Sequence, residues 1–282
     1  MRVVDAHQHL WDLDAVEYPW LTPDAGPIYR TFGWSDLSPE LAATGVDATV
    51  LVQAANSVED TEAMLAQADA HPEIVGVVGW VDLTDPAAAR ATLERFASDP
   101  RFVGVRHLIH DEPDPDWLLQ DTVLDTLGLL VDHDLSFDVV AVLPRHLEHV
   151  PRLARRHPEL RLVIDHLAKP PIREKGWQPW ASLLEQAAAF PTVHAKVSGL
   201  DTAADWRTWT TDDLAPYVEH ALELFGPDRL MAGGDWPISV LAGGYRKVWA
   251  ATDELLAPLS DEQRRRVLGE TAVEFYRIPE AP

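Results

Sequence analysis

Val75-Gly76-Val77-Val78-Gly79-Trp80 is a short apolar run of strand character, and a segment of helical period, Asp85 to Ser98, follows it closely. In that segment Ala89, Leu93, Phe96 and Ala97 recur at the spacing of one helix face, as a helix lying on a sheet requires. Asp85 offers a side-chain oxygen to the first free N–H groups, and Pro86 occupies the first turn, where a missing N–H costs nothing. The same strand-then-helix unit recurs along the whole chain. Its other strand-like runs are Val3 to His7, Ala48 to Val52, Phe102 to His107, Ser136 to Val140, Arg161 to His166, Thr192 to Val197 and Arg229 to Gly233. Ser38-Pro39, Ser57-Val58-Glu59-Asp60 and Ser260-Asp261-Glu262 read as further helix starts.

Eight such units in 282 residues predict an α/β fold, the (β/α)8 or TIM barrel, as a single domain over residues 1–282. The competitor is an open doubly wound sheet. Against it, the strands are evenly spaced after the first unit and no glycine-rich phosphate loop follows the first strand. Gly76, Gly79 and Gly104 fall inside strands and read as packing devices. One insert breaks the rhythm, residues 10–37, with Trp11, Tyr18, Pro19, Trp20, Pro23, Pro27 and Trp34. It is too aromatic for a linker and is expected to be an ordered loop over the barrel mouth.

Composition narrows the function. The chain has no cysteine, which excludes a disulfide scaffold, a thiolate nucleophile and any cysteine-held metal, so a metal would need His and carboxylate ligands. Lys plus Arg number 23 against 46 Asp plus Glu, a net charge of -23 whose field repels phosphate backbones and anionic lipid. No nucleic-acid or membrane partner is expected. No stretch approaches the ~20 apolar residues of a spanning helix. Met1 to His7 lacks the apolar core of a signal peptide, so the expected compartment is the cytoplasm. The expected partner is a small-molecule substrate, and a homo-oligomer is compatible with the sequence.

Three places carry candidate chemistry. His7 and His9, two apart at the end of the first strand, project to one face, as metal ligands, as donors that polarise a carbonyl, or as both. Asp165-His166 ends the sixth strand, where alternation turns one of the pair inward; the expectation is His166 in the site and Asp165 bracing from outside. Gly233-Gly234-Asp235-Trp236-Pro237 closes the eighth strand and would fix the Asp235 carboxylate beside strand 1, across the barrel seam from the two histidines. His71, His133, His149, His157 and His220 lie away from strand ends and receive no role.

Asp5-Ala6-His7-Gln8-His9-Leu10-Trp11, Ile164-Asp165-His166-Leu167-Ala168-Lys169-Pro170-Pro171 and Gly233 to Pro237 together resemble the amidohydrolase superfamily. More narrowly they are similar to its lactonase-like branch, which holds L-fuconolactonases, L-rhamnonolactonases and 2-pyrone-4,6-dicarboxylate lactonases. Supporting segments are Val50 to Ala54, Gly79 to Leu83, Gly104 to His107, Asp111 to Leu118 and Lys196 to Leu200, so the likeness spans the chain. Gly234 and Ala168 depart from the branch's usual residues, but both are small. Strand 5 offers Asp138 and no histidine, so the binuclear ligand set is incomplete and a two-metal site is not expected.

The resemblance implies hydrolysis of a sugar-acid lactone. Asp235 would deprotonate the water and return the proton to the departing ring oxygen. His7, His9 and His166 would stabilise the oxyanion, directly or, with Asp235, as ligands of one divalent ion, zinc first. A metal-independent site is the alternative. Arg106, His107 and Lys196 are candidates for substrate hydroxyls or carbonyl, and Trp11, Trp34, Trp117 and Trp236 for stacking on a sugar ring. So few cations favour an uncharged aldonolactone over a dicarboxylate. Competing readings are a metal-dependent decarboxylase or amide hydrolase on the same constellation, and a sugar-binding barrel without turnover.

Overall fold

The computed structural model describes residues 2–279. Eight parallel strands run in the order of the chain: β1 (Val4–Gln8), β2 (Ala48–Val52), β3 (Ile74–Gly79), β4 (Phe102–His107), β5 (Ser136–Val139), β6 (Arg161–Ile164), β7 (Val193–Val197) and β8 (Leu230–Ala232). Between them lie α1 (Trp34–Thr44), α2 (Val58–Ala70), α3 (Pro86–Phe96), α4 (Asp121–Asp132), α5 (Pro144–Arg156), α6 (Trp180–Ala188) and α7 (Thr211–Phe225). After β8 come α8 (Tyr245–Leu255), α9 (Asp261–Arg265) and α10 (Thr271–Phe275). The sheet closes where β1 meets the turn after β8: Gln8 pairs with Trp236, and the Asp235 N–H donates to the His7 carbonyl at 2.8 Å. The chain is therefore a (β/α)8 barrel, and among the described residues no helix is long and apolar enough to cross a membrane.

The predicted caps form at α2, where Ser57 accepts from the Asp60 N–H, and at α3, where Asp85 accepts from the Ala87 and Ala88 N–H groups. Ser260 does the same for Gln263 at α9. The Ser38-Pro39 start differs. Helix α1 begins earlier, at Trp34, because Asp36 accepts from the Gly33 N–H and Leu37 and Leu41 bury one face, which leaves Pro39 inside the helix. In the insert, Trp11 and Phe32 exchange backbone hydrogen bonds of 3.1 and 2.9 Å. Their rings pack edge to face with centroids 5.8 Å apart, and Phe32 packs on Trp236 at 5.2 Å. Residues 34–37 of that stretch belong to α1.

Inside the barrel, Val4, Ala6, Val50, Val52, Val163 and Met231 form an apolar cluster that Phe275 and Tyr276, at the end of α10, complete. Gly104 has no room for a side chain, since a Cβ would stand 2.2 Å from Ser136 Oγ. Above the cluster lies a fully buried ionic layer. Lys196 Nζ reaches Asp138 Oδ2 at 2.6 Å and Asp165 Oδ1 at 3.0 Å, and the Tyr276 hydroxyl donates to Asp138 Oδ2 at 2.6 Å. Removing one partner of such a group strands the others in a medium that cannot solvate them. Lys196→Met should therefore cost on the order of 3 kcal/mol in urea unfolding with an unchanged denaturant slope. A loss below about 1 kcal/mol would mean that the two carboxylates are compensated elsewhere.

Candidate active site

Two of the three histidines at the carboxyl end of the barrel, His9 and His166, have Nδ1 held by a neighbour, which leaves Nε2 to face the cavity, whereas His7 is held at both nitrogens. His9 Nδ1 is 2.7 Å from the Val52 carbonyl, which can only accept, so Nδ1 carries the proton and Nε2 a lone pair. His7 Nε2 accepts from Arg106 Nη1 at 3.2 Å, and its Nδ1 stands 3.1 Å from Lys196 Nζ and 3.2 Å from Asp165 Oδ1. His166 Nδ1 is 2.9 Å from Ser198 Oγ. The three Nε2 atoms converge on Asp235 Oδ1, at 3.8 Å for His7, 3.5 Å for His9 and 3.9 Å for His166. His7 and His9 are 3.2 Å apart through their Nε2 atoms.

The seam explains the position of Asp235. Its N–H is tied to the His7 carbonyl, and the His9 N–H donates to the Trp236 carbonyl at 2.6 Å. Asp5 braces the turn from behind: Oδ1 accepts from the His7 and Gly234 N–H groups at 2.9 and 3.0 Å, and Oδ2 accepts from the Tyr245 hydroxyl at 2.7 Å. Burial raises the Asp5 carboxyl to about 6. Gly199, at φ 56°, passes so close that a Cβ would stand 2.6 Å from both Asp235 Oδ2 and His166 Nδ1.

The electrostatics separate acids from bases. Burial, then Lys196 and Arg106, hold His7 well below its ordinary range, and burial does the same for His166, so both are neutral at pH 7. Burial alone would raise Asp235, but the groups facing it, His166 first, then His9 and Lys169, outweigh it and hold the carboxylate below its usual range. Asp165 is likewise brought down to about 2, because Lys196 and Arg106 overcome its burial.

A cavity of about 150 Å³ opens over this cluster, lined by His9, Trp20, Ala54, Arg106, Leu108, His110, Val140, Val142, His166, Lys169, Asp235 and Ile238. Of the residues singled out from the sequence, His7, His9, His166, Asp235 and Arg106 are brought together here. The others lie elsewhere. Lys196 is fully buried beneath His7, in the ionic layer. His107 stacks on Trp117 with centroids 4.0 Å apart, accepts from Trp80 Nε1 at 3.0 Å and reaches Glu112 at 2.8 Å. Trp11 donates to the Arg30 carbonyl at 2.7 Å, Trp34 stacks on His71 at 4.7 Å, and Trp236 packs against Phe32. None of these four tryptophans lines the cavity; their large faces are used in packing the loops.

Asp165 corrects the alternation argument. It is fully buried against the cluster, with Arg106 Nε 3.3 Å from its Oδ2, rather than outside the site. The reason is that β6 stops at Ile164 and His166, Leu167, Ala168 and Lys169 all take left-handed φ, so period two no longer applies. Trp20 and Lys169 were not among the predicted contacts. Trp20 enters from the insert, fixed by Nε1 donation to the Ala54 carbonyl at 2.6 Å. Its position beside Tyr18 and Pro19 in the aromatic insert was the available signal.

A family model described as Amidohydrolase matches residues 4–278. The chain belongs to the amidohydrolase family. It is 42% identical, over 98% of its length and 95% of the relative's, to a protein named L-fucono-1,5-lactonase from Burkholderia ambifaria. A protein of the same name from Burkholderia multivorans is 34% identical over 98% of the chain and 96% of the relative. A solved amidohydrolase structure from Burkholderia multivorans with bound zinc superposes with a TM-score of 0.92 at 32% identity, covering 99% of this chain and 100% of that one. Here His7, His166 and Asp235 present ligand atoms within 4.8 Å of one another. A zinc with bonds of 2.0–2.1 Å wants ligand atoms about 3.3 Å apart, and the Nε2 atoms of His7 and His166 stand 3.8 and 3.9 Å from Asp235 Oδ1, so these three residues fit such an ion with some closure.

Asp201, just past β7, is buried with neither carboxylate oxygen hydrogen-bonded, and burial, then the Asp235 charge, pushes it up to about 7. An acid raised in the folded state stabilises the fold fully below pH about 4 and loses that contribution as pH rises through about 7. Asp201→Asn should therefore gain in thermal midpoint over the parent at pH 8 relative to pH 5. An equal difference at both pH values would show that the carboxyl does not titrate in the fold.

Proposed function

We propose that this chain hydrolyses the lactone of a sugar acid, of the L-fucono-1,5-lactone type, to the open-chain acid. The observation that carries the reading is the convergence of three fixed imidazole Nε2 atoms on the oxygen of one ionised carboxylate, in a cavity at the barrel mouth. The names and full-length likeness of the two Burkholderia relatives support it.

Asp235, ionised and fixed by the seam, is placed to orient a water and take its proton. A base held below its usual range is a weak one, so its effect comes from positioning. The lactone carbonyl oxygen meets the N–H donors of Arg106, joined by His166 Nε2–H when the Ser198 hydroxyl donates to Nδ1, as negative charge develops on it. The Asp235 proton then passes to the departing ring oxygen. His7, His9, His166 and Asp235 are the residues that would hold a single zinc, which when bound supplies Lewis acidity to the carbonyl or to the water. Arg106 Nη1 competes with such an ion for the His7 Nε2 lone pair.

An uncharged lactone suits this cavity. The two cations that reach it are each offset by a carboxylate, Arg106 by Asp165 at 3.3 Å and Lys169 by Asp235 at 3.8 Å. A dicarboxylate would have no spare positive charge to meet. The apolar wall of Leu108, Val140, Val142 and Ile238 favours a substrate with one unhydroxylated side. Catalysis in the cytoplasm belongs to the same proposal.

Asp235→Asn keeps the shape of the turn and removes the base, so turnover of L-fucono-1,5-lactone should fall by at least about 1,000-fold with an unchanged thermal midpoint. His71→Ala, which alters only the stack on Trp34, should leave turnover within about twofold of the parent. Full activity in the asparagine variant would overturn the mechanism.

A further inference from the structure

Lys169 lines the cavity and has no part in the chemistry above. It closes a run of left-handed residues, His166 to Lys169, that is pinned by donation from Trp180 Nε1 to the Leu167 carbonyl at 2.6 Å and from the Lys169 N–H to the His166 carbonyl at 2.9 Å. Consecutive left-handed L-residues cost roughly 1–2 kcal/mol each, and strain of this kind gathers where function over-determines the backbone. Here it turns His166 and Lys169 into the same cavity.

An ammonium has three hydrogens. Lys169 Nζ donates one to the Gly199 carbonyl at 3.0 Å and one to Thr202 Oγ1 at 2.9 Å. The third has no partner at hydrogen-bond distance: Asp235 Oδ2, the nearest carboxylate oxygen, is 3.8 Å away. Asp235 thus has two unlike edges, Oδ1 towards the imidazoles and Oδ2 towards a cation with one free N–H.

We propose that Lys169 is a catalytic residue whose free N–H binds the lactone ring oxygen and stabilises the alkoxide as the ring opens; this rests on the lactonase reading. Water on the Oδ1 edge attacks the carbonyl carbon, and the carbonyl oxygen turns to the donors around Arg106. The ring oxygen, bonded to the same carbon, is left for the Oδ2 edge. There the C–O bond breaks and its electron pair stays on the ring oxygen. The proton taken from water by Asp235 neutralises it, and the new carboxylic acid loses its own proton to solvent. Lys169 stays charged throughout. Arg106, with Nη1 on His7 and Nε beside Asp165, is already assigned to the carbonyl oxygen.

The test compares parent, Lys169→Met and Lys169→Arg on L-fucono-1,5-lactone and on its thiolactone, in which sulfur replaces the ring oxygen. A thiolate leaves without a strong hydrogen-bond donor, so the analogue reports the leaving-group contact alone. The methionine variant should lose on the order of 100-fold in kcat on the lactone, with KM within about threefold, and less than about fivefold on the thiolactone; arginine should restore part of the loss. Equal losses on both substrates, a loss carried by KM, or no loss would overturn the assignment. Should the parent spare the thiolactone, the split between kcat and KM decides. A parent that opens neither ring would instead refute the lactonase reading.

Discussion

The hydrogen bonds across the seam between the first and last strands are the constraint on which the site depends. The Asp235 N–H to the His7 carbonyl and the His9 N–H to the Trp236 carbonyl continue the ladder that turns a sheet into a barrel. The same two bonds alternate with the three side chains that matter most, so closing the barrel and bringing the carboxylate to the imidazoles are one event. Asp5 and Tyr245 add a brace from the outer layer, and Gly234 has no space for anything larger, since a Cβ would stand 2.2 Å from the Tyr245 ring.

Beneath the seam, the buried charges are arranged so that none stands alone. Asp138 and Asp165 face Lys196 and Arg106, and Asp165 also faces His7 Nδ1. Such a layer is a weak source of net stability, because desolvation cancels most of the attraction. Its effect is orientation: a carboxylate next to a ring N–H fixes the tautomer and the tilt of an imidazole whose other nitrogen works. Tyr276 ties this layer to the last helix, so the far end of the barrel is connected to its active end.

Much of this was legible in the residues. Each strand-like run became a strand within two residues at either end, because buried parallel strands are apolar and short and their helices carry caps. The pairing of His7 with His9 could be read because both lie on one extended segment where period two holds. Asp165 could not, because the chain leaves the strand at Ile164 for a left-handed turn that no local rule announces. The tryptophans misled for a different reason. A large ring with one N–H is as well satisfied by a loop carbonyl, as Trp11 is by Arg30, as by a sugar, and sequence alone does not distinguish the two. Lys196 lies within β7 and points into the buried ionic layer, whereas Lys169 lies past the end of β6 in the left-handed turn and reaches the cavity.

The central claim is that this geometry opens an uncharged sugar lactone. It is tested most directly by following proton release with a pH indicator on a panel of aldono-1,4- and 1,5-lactones beside 2-pyrone-4,6-dicarboxylate, before and after chelation. The account predicts rapid turnover of the L-fucono lactones and none of the dicarboxylate, with the effect of chelation reporting whether His7, His9, His166 and Asp235 hold an ion. Absence of turnover on every aldonolactone, with or without added zinc, would contradict it.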